Sequence, residues 1–319
     1  IIYNYLKNVK KVLLLTATPL INYKYDIINL ISLVKGIEPI SINEFNDMLQ
    51  NKSKLKAYLS DIFSFYIKDT SHDVNYPDKK IIEVYLPMDK SYYDIYCSVE
   101  VGQVNKIPDF KNKNIHVFYN GLRRASNIIE NKSPKVIWII DKLKAEPKAK
   151  YVIFSHFLTM GIKPIMKWLD KNNKRYVHVT GELSISQREE SVKAYNNNDA
   201  SIIFITKAGS EGLDLKNTTY IIIMESSWNE NAVEQIIGRG VRYKSHYLLP
   251  KSKRLVTIYR LYCVKPNEYK NINKITKNYL LNYKNNMLSV DLYLRNYSWI
   301  KQLEITDFYK ILLKYKIVH

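Results

Sequence analysis

Two arginines stand three residues apart in Gln235-Ile236-Ile237-Gly238-Arg239-Gly240-Val241-Arg242, a segment that reads as a helix. On a helix that spacing places both guanidinium groups on one face. Planar, permanently charged forks suit the charge that develops on a transferring phosphoryl group. Upstream, Thr206-Lys207-Ala208-Gly209-Ser210-Glu211-Gly212-Leu213-Asp214-Leu215 combines glycines with an acid. Gly209 and Gly212 let the backbone approach a phosphate or ribose and take conformations barred to other residues. Asp214 can accept hydrogen bonds from a ribose or a water, or pair with an arginine. Thr16-Ala17-Thr18-Pro19 and Ser155-His156-Phe157 add further groups. Hydroxyls of Thr16, Thr18, Ser155 and Thr206 can contact a nucleic-acid backbone, which positions a protein without reading sequence.

Each segment alone has a plainer reading. Thr-Ala-Thr-Pro can be a strand end and helix entry, and His156 a loop or core histidine. The glycine segment can be a turn, and the arginines a solvated basic helix face. Their order, each at a strand end or on the expected helix, is what argues against coincidence.

The elements that must position these groups follow from the apolar pattern. Val12–Leu15 is a continuous apolar run, the mark of a buried parallel strand, and the spacing from Pro19 to Val34 is helical. Helical signal is weak over Phe45–Leu59, and Lys68–Lys80 reads as a loop. Ile81–Leu86 reads as a strand, with helices over Lys90–Val101 and Val117–Ile129. Ser133-Pro134 offers an N-cap and first-turn proline for a helix to about Lys144. Strict alternation begins at Tyr151. Strands are expected at Tyr151–Phe154, Arg175–Val179, Ser201–Ile205, Tyr220–Met224 and Arg254–Tyr262. Helices are expected at Met160–Asp170, Ser186–Tyr195 and Ala232–Arg242. Such alternation builds a parallel sheet covered on both faces, with ligands at the carboxyl ends of the strands. After Pro266 the chain reads as helices, with no further strand and no internal repeat.

Composition narrows the partners. A hydrophobic fraction of 46% and a charged fraction of 25% are those of a globular protein, and the length suits about two domains. No apolar run approaches the roughly 18 residues that span a bilayer, so no membrane partner is expected. Val12–Leu15 lacks a cleavage-site pattern, so no signal peptide is expected either. The chain opens on Ile1 rather than methionine, as a piece of a longer protein would. Net charge is +19, which favours a polyanion such as nucleic acid. Over-use of Lys, Asn, Ile and Tyr, as an AT-rich genome produces, is the competing explanation of that charge. Cys97 and Cys263 are too few and too far apart for a disulfide framework or a zinc site, and no metal ligand set stands out.

The motifs resemble those of superfamily 2 helicases and translocases, whose motor is two RecA-like domains. Thr16-Ala17-Thr18 is similar to motif III, Val152–His156 to motif IV, and Val179-Thr180-Gly181 with Arg188 to the segment that follows. Ile205–Leu215 is similar to motif V and Gln235–Arg242 to motif VI. Leu13–Asn22, and Trp228-Asn229 before Glu234-Gln235, resemble the Swi/Snf-type branch. A narrower resemblance, to the nucleoside triphosphatase I and early transcription factor small subunit group, rests on further residues. They are Arg123–Asn127, Ser133-Pro134-Lys135, Arg242–His246 with Leu249-Pro250, and Ser289–Tyr293. That group belongs to large cytoplasmic DNA viruses, with relatives on cytoplasmic linear plasmids.

The resemblance implies a RecA-like parallel sheet with helices on both faces. The tail of a first RecA-like domain (1–86) would precede it, bridging helices and the second domain would span 87–264, and a helical extension 265–319. It implies ATP between two domains, with Arg239 and Arg242 facing the γ-phosphate, and Gly212, Asp214 and Gln235 near the nucleotide. Ser155, His156, Thr180, Gly181, Thr206 and Lys207 would hold one nucleic-acid strand, DNA by the branch resembled. Thr16, Ala17 and Thr18 would couple the domains. A viral-type RNA polymerase is a further implied partner, and host cytoplasm or virion the implied location. One departure is large: there is no Gly-Lys-Ser/Thr phosphate loop and no Asp-Glu-x-His motif to hold Mg²⁺. The chain by itself is therefore expected to bind ATP poorly and hydrolyse none. The competing reading is a non-catalytic module that binds nucleic acid or polymerase.

Overall fold

The computed structural model describes residues 6, 9–16, 18–65, 73–104, 115–207, 212–315 and 317. Those within Ile1–Asp69, Asn229–Asn231 and Ser298–His319 form one compact unit; those within Thr70–Trp228 and Ala232–Tyr297 form a second.

The first unit is helical, with α1 (Asp26–Lys35), α2 (Ile42–Gln50) and α3 (Lys52–Leu59). Asp26 explains why α1 starts well after Pro19. Its Oδ2 accepts from the amides of Ile21, Asn22 and Tyr23 at 2.9, 2.7 and 3.2 Å, holding the preceding turn. Gly36 ends α1 in the left-handed region, φ 65°. Ser41 and Glu44 form a capping box on α2, and Asn51 caps α3, which divides the expected Phe45–Leu59 helix in two. Leu20, Ile27, Ile31, Phe45 and Leu59 pack with Ile305, Phe308 and Leu312. The expectation of a buried strand at Val12–Leu15 is not met: Leu13 is 81% and Leu15 86% exposed, and neither is in a strand. A strand needs neighbours for its backbone groups, and the described residues of this unit supply none. These side chains instead line an apolar groove of about 610 Å³ with Ile27, Phe63 and Tyr309.

The second unit begins with β1 (Asp78–Pro87), α4 (Lys90–Val104), α5 (Ile115–Asn127) and α6 (Pro134–Ala145). It continues through β2 (Tyr151–Phe154), α7 (Lys163–Lys171), β3 (Val177–Val179) and α8 (Ile185–Asn196). Then come β4 (Ile202–Ile205), β5 (Tyr220–Ile223), α9 (Glu230–Gly240) and β6 (Leu255–Val264). Six parallel strands form one sheet in the order β1-β6-β5-β2-β4-β3. The central strands are wholly apolar because both of their faces are covered. Val152, Phe154, Ile203, Ile205, Ile221 and Ile223 pack with Val233, Ile236 and Ile237 of α9 and Tyr195 of α8. Tyr151, Ile153, Ile202, Phe204 and Ile222 face the other way, onto Ile139 and Leu143 of α6 and Ile165 and Leu169 of α7. Helices thus cover both faces, as the alternation required.

After β6 come α10 (Pro266–Tyr269), α11 (Ile272–Lys277), a two-stranded hairpin of β7 (Asn282–Tyr283) and β8 (Asn286–Met287), and α12 (Val290–Leu312). The hairpin corrects the expectation of no further strand. Its turn residues Lys284 and Asn285 have φ of 50° and 61°, the left-handed pair that a tight hairpin demands. Asn285 favours that conformation, whereas Lys284 gives no such signal.

Candidate functional site

The motif V and motif VI segments are joined by two hydrogen bonds. Leu215 N donates to Arg239 O at 3.0 Å, and Arg242 Nη1 donates to Leu213 O at 3.4 Å. Helix α9 carries Arg239 but ends at Gly240, so Arg242 lies just past the helix and not on a shared helical face. Gly240 forces this close fit: a Cβ there would lie 3.1 Å from Ile221 Cδ1. Arg239 Nε is buried and has no hydrogen-bond partner among the described residues, while Arg242 and Gln235 are exposed. Gly212 takes φ 73°, a left-handed conformation that a side chain would strain. Asp214 is exposed and forms no ion pair among the described residues; its carbonyl accepts from Asn196 Nδ2 at 2.9 Å. Asn196 Oδ1 also accepts from Lys216 N at 2.9 Å, fixing the segment to α8. Gly212 and Asp214 line a groove of about 590 Å³ together with Arg188 and Lys193. Ala208, Gly209, Ser210 and Glu211 lie outside the described residues.

The turn after Arg242 is pinned as well. Ser245 Oγ donates to Arg242 O at 2.8 Å, and His246 Nε2 contacts Thr218 O at 2.8 Å. Asn217 N donates to Ser245 O at 3.0 Å. Burial lowers the His246 pKa, which suits a neutral ring in that role. These contacts set the arginine end of α9 toward the amino end of β5. The alternation puts ligands at the carboxyl ends of the strands, and the arginine end of α9 instead lies at the other end of the sheet. A helix that returns antiparallel to its strand delivers its last residues to the opposite end.

The carboxyl ends of β2 and β5, beside the point where strand order reverses, are filled by a buried polar network. Glu225 Oε1 accepts from Ser155 Oγ at 2.5 Å, Asn127 Nδ2 at 2.9 Å and His156 N at 3.1 Å. Arg123 Nη2 donates to Ser226 O at 3.1 Å. Lys135 and Asp291 form an ion pair of 2.6 Å with both side chains fully buried, and Cys263 N donates to Asp291 Oδ2 at 2.9 Å. Lys135 Nζ also reaches Asn127 Oδ1 at 3.0 Å. The segments 123–127, 133–135 and 289–293, which carried the narrower resemblance, thus meet in one core.

Ser155 is fully buried, so its hydroxyl serves Glu225 rather than presenting itself to a nucleic-acid backbone, a correction to the expectation from residue type. Thr180 and Thr206 are buried too; beside them Gly181 and Lys207 are exposed at the ends of β3 and β4. His156 Nε2 is sealed without a hydrogen-bond partner among the described residues, and burial, with Arg123 and Lys207 nearby, lowers its pKa to about 3. Thr16 is exposed and its Oγ1 accepts from Thr18 N at 3.0 Å, both within the first unit; Ala17 lies outside the described residues.

Sequence reasoning missed Glu225, the acceptor at the centre of the network, because a lone glutamate after a strand carries no motif. It also missed Gly161, where a Cβ would sit 2.2 Å from Ser155 Oγ. No group of three or more His, Cys, Asp or Glu among the described residues could hold a metal ion. Donors suited to a nucleotide phosphate lie on the two bonded segments: Arg239, whose buried Nε is unpaired among the described residues, and the exposed Arg242, which donates to Leu213 beside the left-handed Gly212.

The helicase conserved C-terminal domain family matches residues 134–244. A protein of Acanthamoeba polyphaga mimivirus that carries the name of an ATP-dependent RNA helicase is 33% identical over 292 residues, 82% of this chain and 64% of that protein. Nucleoside triphosphatase I of Choristoneura biennis entomopoxvirus is 28% identical over 151 residues, 45% of this chain and 20% of that protein. The chain spans less than two thirds of the length of these curated relatives. Among solved structures, the Sulfolobus solfataricus SWI2/SNF2 ATPase core in complex with double-stranded DNA shares the fold. It has a TM-score of 0.50 and 22% identity over 90% of this chain and 64% of that one. Residues 134–244 thus match the helicase conserved C-terminal domain, and most of the chain is similar to the mimivirus protein.

Proposed function

We propose that this chain supplies one side of the ATP site of a nucleic-acid-dependent ATPase, the side that bears the arginines. The observation that carries this reading is the bonded pair of motif V and motif VI, with Arg239 Nε buried and unpaired beside it. ATP and Mg²⁺ would be held mainly by a phosphate loop and an acidic motif on a facing domain. When bound there, ATP supplies the phosphoryl group. Arg239 and Arg242 neutralise the charge that develops on its oxygens, an effect of about 10³–10⁵ in rate where arginine fingers act in other NTPases. Gly212 would give a close backbone approach, and the exposed Asp214 and Gln235 would supply polar side chains to the nucleotide. The exposed Gly181 and Lys207, seated beside the buried Ser155, His156, Thr180 and Thr206, would form the rim offered to one nucleic-acid strand. Thr16, Ala17 and Thr18 would couple the domains. Because Gly212 and Lys207 flank a single segment, strand binding and nucleotide contact would be linked through it.

The solved double-stranded DNA complex of a fold relative supports DNA as the polyanion. A role in viral-type transcription, with an RNA polymerase as partner and the host cytoplasm or virion as location, rests on the sequence resemblance. The alternative is a binding module without hydrolysis. The experiment that separates them joins this chain to a phosphate-loop domain of its own gene or of a close relative. Nucleic-acid-stimulated ATP hydrolysis by the joined protein supports the motor. Nucleic-acid binding with no hydrolysis in any such pairing supports the module.

A further inference from the structure

On the sheet face opposite α9, helices α6 and α7 leave a groove of about 430 Å³. Its apolar surface comprises Ile137 and Ile140 of α6 and Pro164 and Trp168 of α7. Ile137 is 60% exposed and Trp168 half-buried, so this surface is open. The buried side of α6 is already used by Lys135, Ile139 and Leu143, and Ile137 points elsewhere. Spacing of three residues between Ile137 and Ile140 gives the ridge against which an apolar helical or extended segment packs. The rim is basic: Lys132, Lys167 and Lys171 line it, while Lys144, 5.6 Å from the Trp168 ring, is paired with Asp141 at 3.7 Å. The one carboxylate among the lining residues, Asp89, caps α4, accepting from Tyr92 N at 2.8 Å and Ser91 Oγ at 2.9 Å.

An apolar floor inside a lysine rim selects a ligand that is apolar on one side and anionic on its edges. We propose that this groove docks an acidic amphipathic segment of a partner protein, with aliphatic or aromatic anchors on Ile137 and Trp168 and carboxylates at the lysines. A nucleic acid satisfies the lysines but has no aliphatic face for Ile137. The groove lies across the sheet from Arg239, so docking leaves the proposed ATP surface open, and the inference stands independently of that function.

The test uses a fluorescein-labelled acidic peptide of roughly 12 residues, about three helical turns, with Leu and Phe at i, i+3 and i+7 among Glu and Asp. Its Lys counterpart and a labelled single-stranded oligonucleotide serve as comparisons. Anisotropy should show the acidic peptide binding, with Ile137→Glu and the pair Lys167→Glu/Lys171→Glu each weakening it about tenfold or more. Arg239→Ala should leave peptide affinity unchanged. Ile137→Ser, a milder surface change, should also weaken it while circular dichroism stays that of the parent. Equal binding of both peptides, or undiminished binding by the Ile137 variants, would overturn the proposal. So would loss of oligonucleotide binding in those variants with no change for the peptide, which would assign the groove to nucleic acid.

Discussion

At the residue scale, the buried polar network sets the sharpest expectations. Replacing Lys135 by Met leaves Asp291 charged and unpaired in the core, which should cost about 3–5 kcal/mol of stability in urea unfolding. The double variant Lys135→Met/Asp291→Leu should recover part of that loss; no recovery would mean the carboxylate is not the cause. His156 predicts a pH dependence. Its pKa is about 3 in the fold against 6.5 in the unfolded chain, so below about pH 6.5 the unfolded state binds the proton that the fold excludes. Stability should therefore fall as pH drops from 6.5 toward 3, by at most about 1.4 kcal/mol per pH unit from this group. Above pH 6.5 its contribution is constant. His178 and His246 shift in the same direction and Glu268, raised by burial, in the opposite one. The informative measurement is thus the difference from His156→Asn, whose stability should depend less steeply on pH between about 5 and 6.5. An unchanged slope would place the ring in solvent. None of this was legible in the residues alone: burial of Ser155 and His156 depends on Glu225, Asn127 and Arg123, which are distant in sequence.

At the element scale, the pattern of apolar residues gave most of the sheet. Tyr151–Phe154 is legible to the residue because a strand buried on both faces is a bare apolar run, and its flanking helices show helical spacing. Boundaries shifted where a side chain overrode the pattern, as Asp26 delays α1 and Asn51 divides α2 from α3. Val12–Leu15 failed for a different reason. Its composition describes a strand, but a strand exists only beside another, and the described residues of its unit provide none. Arg242 was expected on a helix because periodicity does not reveal a stop. Gly240, packed on Ile221, and the turn through Ser245 and His246 end it. Gly240→Val should accordingly destabilise the protein by about 1–3 kcal/mol through overpacking, read from the urea midpoint. A neutral substitution would show that α9 can move off β5, and that the fit of motif VI against motif V is loose.

At the scale of the whole molecule, a net charge of +19 has two explanations, a polyanion-binding surface or compositional drift. Counterion release separates them. Binding to duplex DNA should weaken steeply as salt rises, each phosphate contact adding about −0.9 to the slope of log K against log salt. Lys207→Ala should reduce that slope by about one contact; a flat salt dependence would favour drift. The arrangement also separates three surfaces on one sheet: arginines toward the amino end of β5, an exposed rim of Gly181 and Lys207 at the carboxyl ends, and the α6–α7 groove on the far face. The central claim is that the arginine surface faces ATP. Its most direct test is the rate of nucleic-acid-stimulated ATP hydrolysis by Arg239→Ala, in this chain joined to a phosphate-loop domain of its own gene or of a close relative. The expected result is a loss of about 10³-fold or more in turnover with nucleic-acid affinity retained. Turnover equal to that of the parent would remove Arg239 from the site and contradict the account.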